Sequence, residues 1–128
     1  MPAPPQHETI LVIDDDEYIR DACQQTLSRA GYCVESAVNG EAGLSLAREI
    51  EPDIALVDLQ MPGMSGLEVM KQLGLISPKT VKLIVTGFRS FDLVMKIIEE
   101  QGASGCLFKP FSPDELKGVV KKALDGRE

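Results

Sequence analysis

Short apolar runs alternate along the chain with longer stretches in which apolar residues return every three or four positions. The runs fall at Thr9–Ile13, roughly Cys33–Ala37, Ile54–Val57, Val81–Thr86 and Gly105–Phe108. Ile10-Leu11-Val12-Ile13 and Leu83-Ile84-Val85 are continuously apolar, the pattern of strands covered on both faces of a parallel sheet. The stretches between them predict helices. Ile19, Ala22, Cys23, Thr26, Leu27 and Ala30 share one helical face, with Gly31 as a stop. Asn39 can cap a helix carrying Leu44, Ala47 and Ile50 that ends before Pro52. Leu67, Met70 and Leu73 mark a third helix, and Leu93, Val94 and Ile97 a fourth. Ser112-Pro113-Asp114-Glu115 is a helix start: Ser as cap, Pro at the first position, Glu three residues on. Leu116, Val119, Val120, Ala123 and Leu124 then form its buried stripe.

A strand followed by a helix, five times over with short connections, predicts an α/β chain of (βα)5 type. Right-handed crossovers make it one doubly wound domain, a five-stranded parallel sheet with helices on both faces. Ligands of such sheets sit at the carboxyl ends of the strands. The residues just after each run therefore carry the functional question.

Composition narrows the answer. At 128 residues and 44% hydrophobic content the chain suits a single domain with a self-sufficient core. Residues 1–8 read as a flexible Pro-rich tail, 9–124 as the domain, and 125–128 as a C-terminal tail or the start of a linker. No apolar run approaches the ~18–20 residues of a membrane span. The first residues lack a signal-peptide pattern, so a cytoplasmic location is expected, with no membrane contact. Thirteen Lys and Arg against twenty Asp and Glu give −7, which disfavours direct nucleic-acid contact. Cys23, Cys33 and Cys106 are odd in number and lack C-x-x-C spacing, so a disulfide framework and a zinc site are disfavoured. All three are expected as small, reduced core residues. His7 is the only histidine and lies in the Pro-rich tail, which removes triads and multi-His metal sites.

Asp14, Asp15 and Asp16 follow the first run, Asp58 the third, and Lys109-Pro110 the fifth, while Thr86 closes the fourth. The topology would gather carboxylates, a hydroxyl and an ammonium in one small area. Two like charges ~4 Å apart repel by ~4 kcal/mol at an effective dielectric near 20. Such a cluster calls for a cation, and an oxygen-only site with few protein ligands suits Mg²⁺. A carboxylate beside the metal can attack phosphorus while Lys and Thr hold the transferred group. The constellation reads as phosphoryl transfer to or from an aspartate. Each signal alone has an ordinary explanation, and Asp16 reads best as a helix cap.

The stretches Ile10-Leu11-Val12-Ile13-Asp14-Asp15-Asp16, Pro52–Gly66 around Val57-Asp58-Leu59-Gln60-Met61-Pro62-Gly63, Leu83-Ile84-Val85-Thr86-Gly87 and Phe108-Lys109-Pro110-Phe111 resemble a known family. From about Glu8 to Leu124 the chain is similar to the CheY-like receiver domain of bacterial two-component response regulators. The resemblance implies a flavodoxin-like sheet with strand order 2-1-3-4-5. It implies that Asp58 is the phosphoacceptor, taking phosphoryl from a sensor histidine kinase or phosphotransfer domain. Asp15 would bind Mg²⁺ directly, Asp14 largely through water, and Gln60 through its backbone carbonyl. Thr86 would hydrogen-bond the phosphoryl group, Lys109 would pair with it, and the Lys109–Pro110 peptide would be cis. The domain would be a signalling phosphoacceptor, catalysing only its own phosphorylation and dephosphorylation.

One position departs from the family. Three residues before the Lys the family carries Tyr or Phe, and here it is Cys106, which has no ring to turn inward. Signalling by loop and helix movement, with Cys106 filling core space, is the expectation. Gln60 and Phe88 occupy the family's rate-tuning positions, and Phe88 is expected to slow access of the hydrolytic water. The fourth helix carries a second apolar stripe, Phe91, Met95 and Ile98, roughly 110° from the first. One reading makes it part of a wide buried stripe with Phe91 in a loop. The other makes it a partner face for an output domain, a target protein or a homodimer, through the fourth helix, fifth strand and fifth helix. The chain stops soon after the last helix, which fits a stand-alone regulator and a piece of a longer protein equally. A small haloacid-dehalogenase-type phosphohydrolase using Asp14 and Asp16 is the alternative function, though it leaves Asp58 idle. A flavodoxin-like cofactor binder would need a phosphate-cradling loop where the three aspartates stand.

Overall fold

The chain's apolar runs become five parallel strands of one sheet, and each stretch between or after them becomes a helix. The computed structural model describes residues 8–87 and 90–127. Its elements run β1 (Thr9–Ile13), α1 (Glu17–Arg29), β2 (Cys33–Ala37), α2 (Gly40–Ile50), β3 (Ile54–Val57), α3 (Gly66–Ile76), β4 (Val81–Thr86), α4 (Phe91–Gln101), β5 (Gly105–Phe108) and α5 (Pro113–Asp125). The sheet order is β2-β1-β3-β4-β5, the flavodoxin-like order. Register pairs Ile13 with Val57, and Thr86 with Phe108, so the carboxyl ends of β1, β3, β4 and β5 lie along one rim.

Strand residues alternate between the two faces, and the core divides accordingly. Ile10, Val12, Ile54, Leu56, Leu83, Val85 and Leu107 pack on Cys23 and Leu27 of α1 and on Leu116, Val120 and Leu124 of α5. Leu11, Ile13, Ala55, Val57 and Ile84 pack on Leu44 and Ala47 of α2, Val69, Met70 and Leu73 of α3, and Val94 and Ile97 of α4. Each fully buried Leu or Ile stabilises the fold by about 1.5–3 kcal/mol.

Local chemistry sets the helix ends. Asp16, Asn39, Ser65, Ser90 and Ser112 each accept a backbone N–H from the first turn of the helix that follows. The capping box is complete: Glu115 N–H donates to Ser112 Oγ at 3.1 Å, and Ser112 N–H donates to Glu115 Oε1 at 2.9 Å. Helix α2 stops before Pro52 through Glu51, which takes a left-handed φ of 45°.

Four expectations about side chains change. Leu67 and Leu93 are exposed rather than core, because the helices turn Val69 and Met70, or Val94 and Ile97, to the sheet instead. Cys33 is exposed, since β2 is an edge strand with one side of its pleat uncovered. Phe91 is not in a loop: it opens α4 and is 71% exposed, and Met95 is exposed as well, so of the second stripe only Ile98 packs on the core. Of the expected tail at 1–8, residues 1–7 with His7 lie outside the described residues, as does Phe88; Glu8 is described, and its carbonyl accepts Cys33 N–H at 3.0 Å.

Candidate functional site

The chain leaves β1 at Asp14, whose side chain turns under the rim and is 2% exposed. Its N–H donates to Ala37 O at 3.2 Å and its Oδ1 accepts Asp16 N–H at 2.9 Å. Arg20 Nη1 donates to its main-chain carbonyl at 2.8 Å. The three consecutive aspartates therefore differ in work. Asp14 is buried, Asp15 is exposed, and Asp16 Oδ1 caps α1 by accepting Tyr18 N–H at 2.9 Å.

Asp58 extends the β1–β3 pairing by one residue, its N–H donating to Ile13 O at 3.1 Å. It is 3% exposed. Its Oδ1 accepts the N–H of Gln60 at 3.1 Å, and its Oδ2 lies 3.3 Å from Lys109 Nζ. Lys109 follows β5 and is tied to β4 by its own N–H, which donates to Thr86 O at 2.9 Å. Its ammonium also lies 2.8 Å from Asp14 Oδ2. That oxygen is ion-paired yet accepts no aligned hydrogen bond among the described residues. Thr86 is fully buried at the end of β4, Cys106 is half-buried against the α2–α4 core, and Pro110 is exposed behind a cis peptide bond. Gln60 is exposed, and the residue that places it is its backbone partner Asp58.

Electrostatics make the pocket tense. Burial raises the Asp58 carboxyl above its ordinary range, and the Asp14 charge adds to this; the Gln60 N–H and the Lys109 ammonium pull the other way without cancelling it. Burial would lower the Lys109 ammonium, but the close carboxylate of Asp14 and, after it, that of Asp58 leave it raised. Cys106 is pushed up to about 11 by burial, and Cys23 to about 12, so neither is a thiolate at neutral pH.

Asp14, Asp15 and Asp58 each bring a carboxylate oxygen within 4.8 Å of the others. Ligand oxygens of an octahedral Mg²⁺ at ~2.0–2.1 Å stand about 3–4 Å apart, so small side-chain adjustments suffice to hold it. Three carboxylates and one ammonium also leave a formal deficit that a divalent cation would offset. The donor set and the under-bonded Asp14 Oδ2 both fit the ion.

Two residues of this site escape a reading of the sequence. Gly66 opens α3 against the Asp58 loop: a Cβ there would stand 2.2 Å from Asp58 O and 2.6 Å from Leu59 Cα. Arg20 is the other, and its signal is a cation in the first helical turn, where the helix dipole disfavours one. The phosphohydrolase alternative loses its motif, because Asp16 is engaged as a cap while Asp58 shares the buried pocket with Asp14.

The family model for the response regulator receiver domain matches residues 10–121. Sporulation initiation phosphotransferase F of Bacillus subtilis is 33% identical over 92% of this chain and 94% of its own length. The alkaline phosphatase synthesis transcriptional regulatory protein PhoP of the same organism is 37% identical over 92% of this chain but only 49% of its own length. The chain likewise spans 32% of a cyclic di-GMP phosphodiesterase of Thermotoga maritima at 35% identity. Among solved structures, a CheY-like receiver domain protein from Methanospirillum hungatei superposes with TM-score 0.87 at 32% identity, covering 94% of this chain and 95% of that one. Chemotaxis protein CheY4 of Vibrio cholerae gives 0.86 at 32% identity over 92% and 99%.

Proposed function

This chain belongs to the response regulator receiver domain family, and on that premise we propose that Asp58 is its phosphoacceptor. The observation that carries the reading is the convergence on Asp58 of Lys109 Nζ at 3.3 Å and of the Asp14 and Asp15 carboxylates. A carboxylate oxygen of Asp58 attacks the phosphorus of a phosphohistidine on a sensor kinase or phosphotransfer domain. The O–P bond forms as the P–N bond breaks, and the imidazole leaves with a proton from solvent. Asp14, Asp15, Asp58 and the Gln60 carbonyl would hold Mg²⁺, which would supply neutralisation of the phosphoryl oxygens. Lys109 pairs with the phosphoryl group and Thr86 hydrogen-bonds it. Water attack on phosphorus then restores the Asp58 carboxylate and releases inorganic phosphate, so the domain catalyses only its own modification and its reversal.

Phosphorylation shifts an equilibrium between two surfaces of the domain. Phe91, Leu93 and Met95 stand exposed on α4, which supports a readout through α4, β5 and α5 to an output domain, a target protein or a second copy. With Cys106 in place of an aromatic ring, loop and helix movement carries the change. No described helix is long and apolar enough to cross a membrane; the proposed phosphodonors place the domain in the cytoplasm.

The test is to treat the chain with acetyl phosphate and Mg²⁺ and to map the modified residue in wild type and Asp58→Asn. Mg²⁺-dependent, stoichiometric labelling at Asp58, lost in the variant, is the expected result. Steady turnover of a generic phosphomonoester without labelling of Asp58 would favour the phosphohydrolase instead.

A further inference from the structure

Arg20 takes no part in the chemistry above, yet it reaches into the pocket's scaffold. Half-buried in α1, it donates from Nη1 to the main-chain carbonyl of Asp14 at 2.8 Å. The aspartates beside it favour a cation there, while the helix dipole and an ion in the pocket would oppose one, so charge by itself does not account for its place. The short contact to the Asp14 carbonyl does. The carbonyl it holds belongs to the peptide joining Asp14 to Asp15, so fixing that peptide fixes the origin of both carboxylates. Asp14 is then held at its N–H by Ala37 O, at Oδ1 by Asp16 N–H and at its carbonyl by Arg20.

We infer that Arg20 is a positioning residue for the divalent-cation site, orienting the Asp14–Asp15 peptide so that both carboxylates face Asp58. The inference rests on the reading of the pocket as a Mg²⁺-dependent phosphoacceptor. The sign of the effect separates positioning from charge. Losing a nearby positive charge by itself tightens Mg²⁺ binding; losing the orientation of two ligands weakens it. Removing a group that orients metal ligands typically costs 10–100-fold in affinity.

The experiment measures the Mg²⁺ dissociation constant of the full chain by calorimetry for wild type, Arg20→Ala, Arg20→Lys and Arg29→Ala. Arg29, exposed in the last turn of α1, controls for loss of the same charge from the same helix. Thermal unfolding without Mg²⁺ is followed in parallel. Arg20→Ala should weaken Mg²⁺ about tenfold or more, Arg20→Lys should recover part of it, and Arg29→Ala should leave it unchanged or slightly tighter. With acetyl phosphate, Arg20→Ala should raise the half-saturating Mg²⁺ concentration while the rate at saturating Mg²⁺ stays within about twofold of wild type. Unchanged or tighter binding in Arg20→Ala, with only the metal-free melting temperature lowered, assigns Arg20 a merely structural role and overturns the inference. If Arg20→Ala does not fold, Arg20→Lys decides: severalfold weaker binding at an unchanged metal-free melting temperature supports positioning, and wild-type affinity overturns it. A wild-type chain that binds no Mg²⁺ overturns the phosphoacceptor reading and this inference with it.

Discussion

Strand β3 carries an aspartate at each end, and the two are built for opposite purposes. Asp53, just before the strand, is half-exposed and well paired. Its Oδ2 accepts Thr9 N–H at 2.7 Å, and its Oδ1 lies 3.0 Å from Arg127 Nη1. Beside it, Thr80 Oγ1 donates to Pro52 O at 2.7 Å and shares a 2.6 Å hydrogen bond with Ser77. Asp58, just after the strand, is buried, crowded by Asp14 and raised in pKa by that burial. One end of the sheet satisfies its polar groups and holds the fold. The other accumulates charge that the protein alone leaves under-compensated, which is what the proposed phosphoacceptor role of Asp58 would call for.

That contrast can be broken at several points. The largest effect is Asp58→Asn, which should abolish labelling by acetyl phosphate and yet raise the melting temperature of the metal-free protein at neutral pH. A carboxyl whose pKa is raised by folding contributes stability below its unfolded value and loses it as pH rises through the folded one. Ionised Asp58 therefore weakens the metal-free fold at pH 7, and Asn removes that charge. Calorimetric melting of both proteins from acid to neutral pH checks this; a lower melting temperature for the variant at pH 7 would contradict it. Mg²⁺ at 100 times its dissociation constant should stabilise wild type by about 2.7 kcal/mol and Asp58→Asn by much less. Its affinity should fall as pH drops through the raised Asp58 pKa, because protons compete for the ligand.

Gly66→Ala comes next. A methyl group 2.2 Å from Asp58 O forces the loop to move, which should cost about 1–3 kcal/mol and weaken Mg²⁺ binding together. A folded variant with wild-type affinity would mean the loop yields without moving the carboxylates. At the opposite end, Asp53→Ala should destabilise by about 1–3 kcal/mol by leaving Thr9 N–H without its acceptor. It should not alter Mg²⁺ affinity in a calorimetric titration. The smallest effect is Arg127→Ala: its ion pair with Asp53 is about two-fifths exposed on each side, and exposed pairs contribute about 0–1 kcal/mol. A larger loss in urea unfolding would show that the C-terminal residues brace the sheet.

Much of the site was legible because each element announces itself locally. Apolar runs named the strands, caps such as Asn39 and Ser112 named helix starts, and the alternation of strand and helix placed Asp14, Asp58, Thr86 and Lys109 at one rim. Side-chain exposure was less legible. Leu67 and Leu93 satisfy a helical period as well as their neighbours do, and only packing decides which of them meets the sheet. Cys33 reads as core until β2 is known to be the edge.

The order of residues by itself determined the element sequence, the rim and the chemical groups gathered there, because hydrophobic period and capping act within a few residues of chain. The tertiary structure alone decided that Lys109 stands between Asp14 and Asp58, that Arg20 reaches back to the Asp14 carbonyl, and that Gly66 must lack a side chain. Those are through-space contacts between elements, set by sheet order and crossover geometry, and no local pattern encodes them.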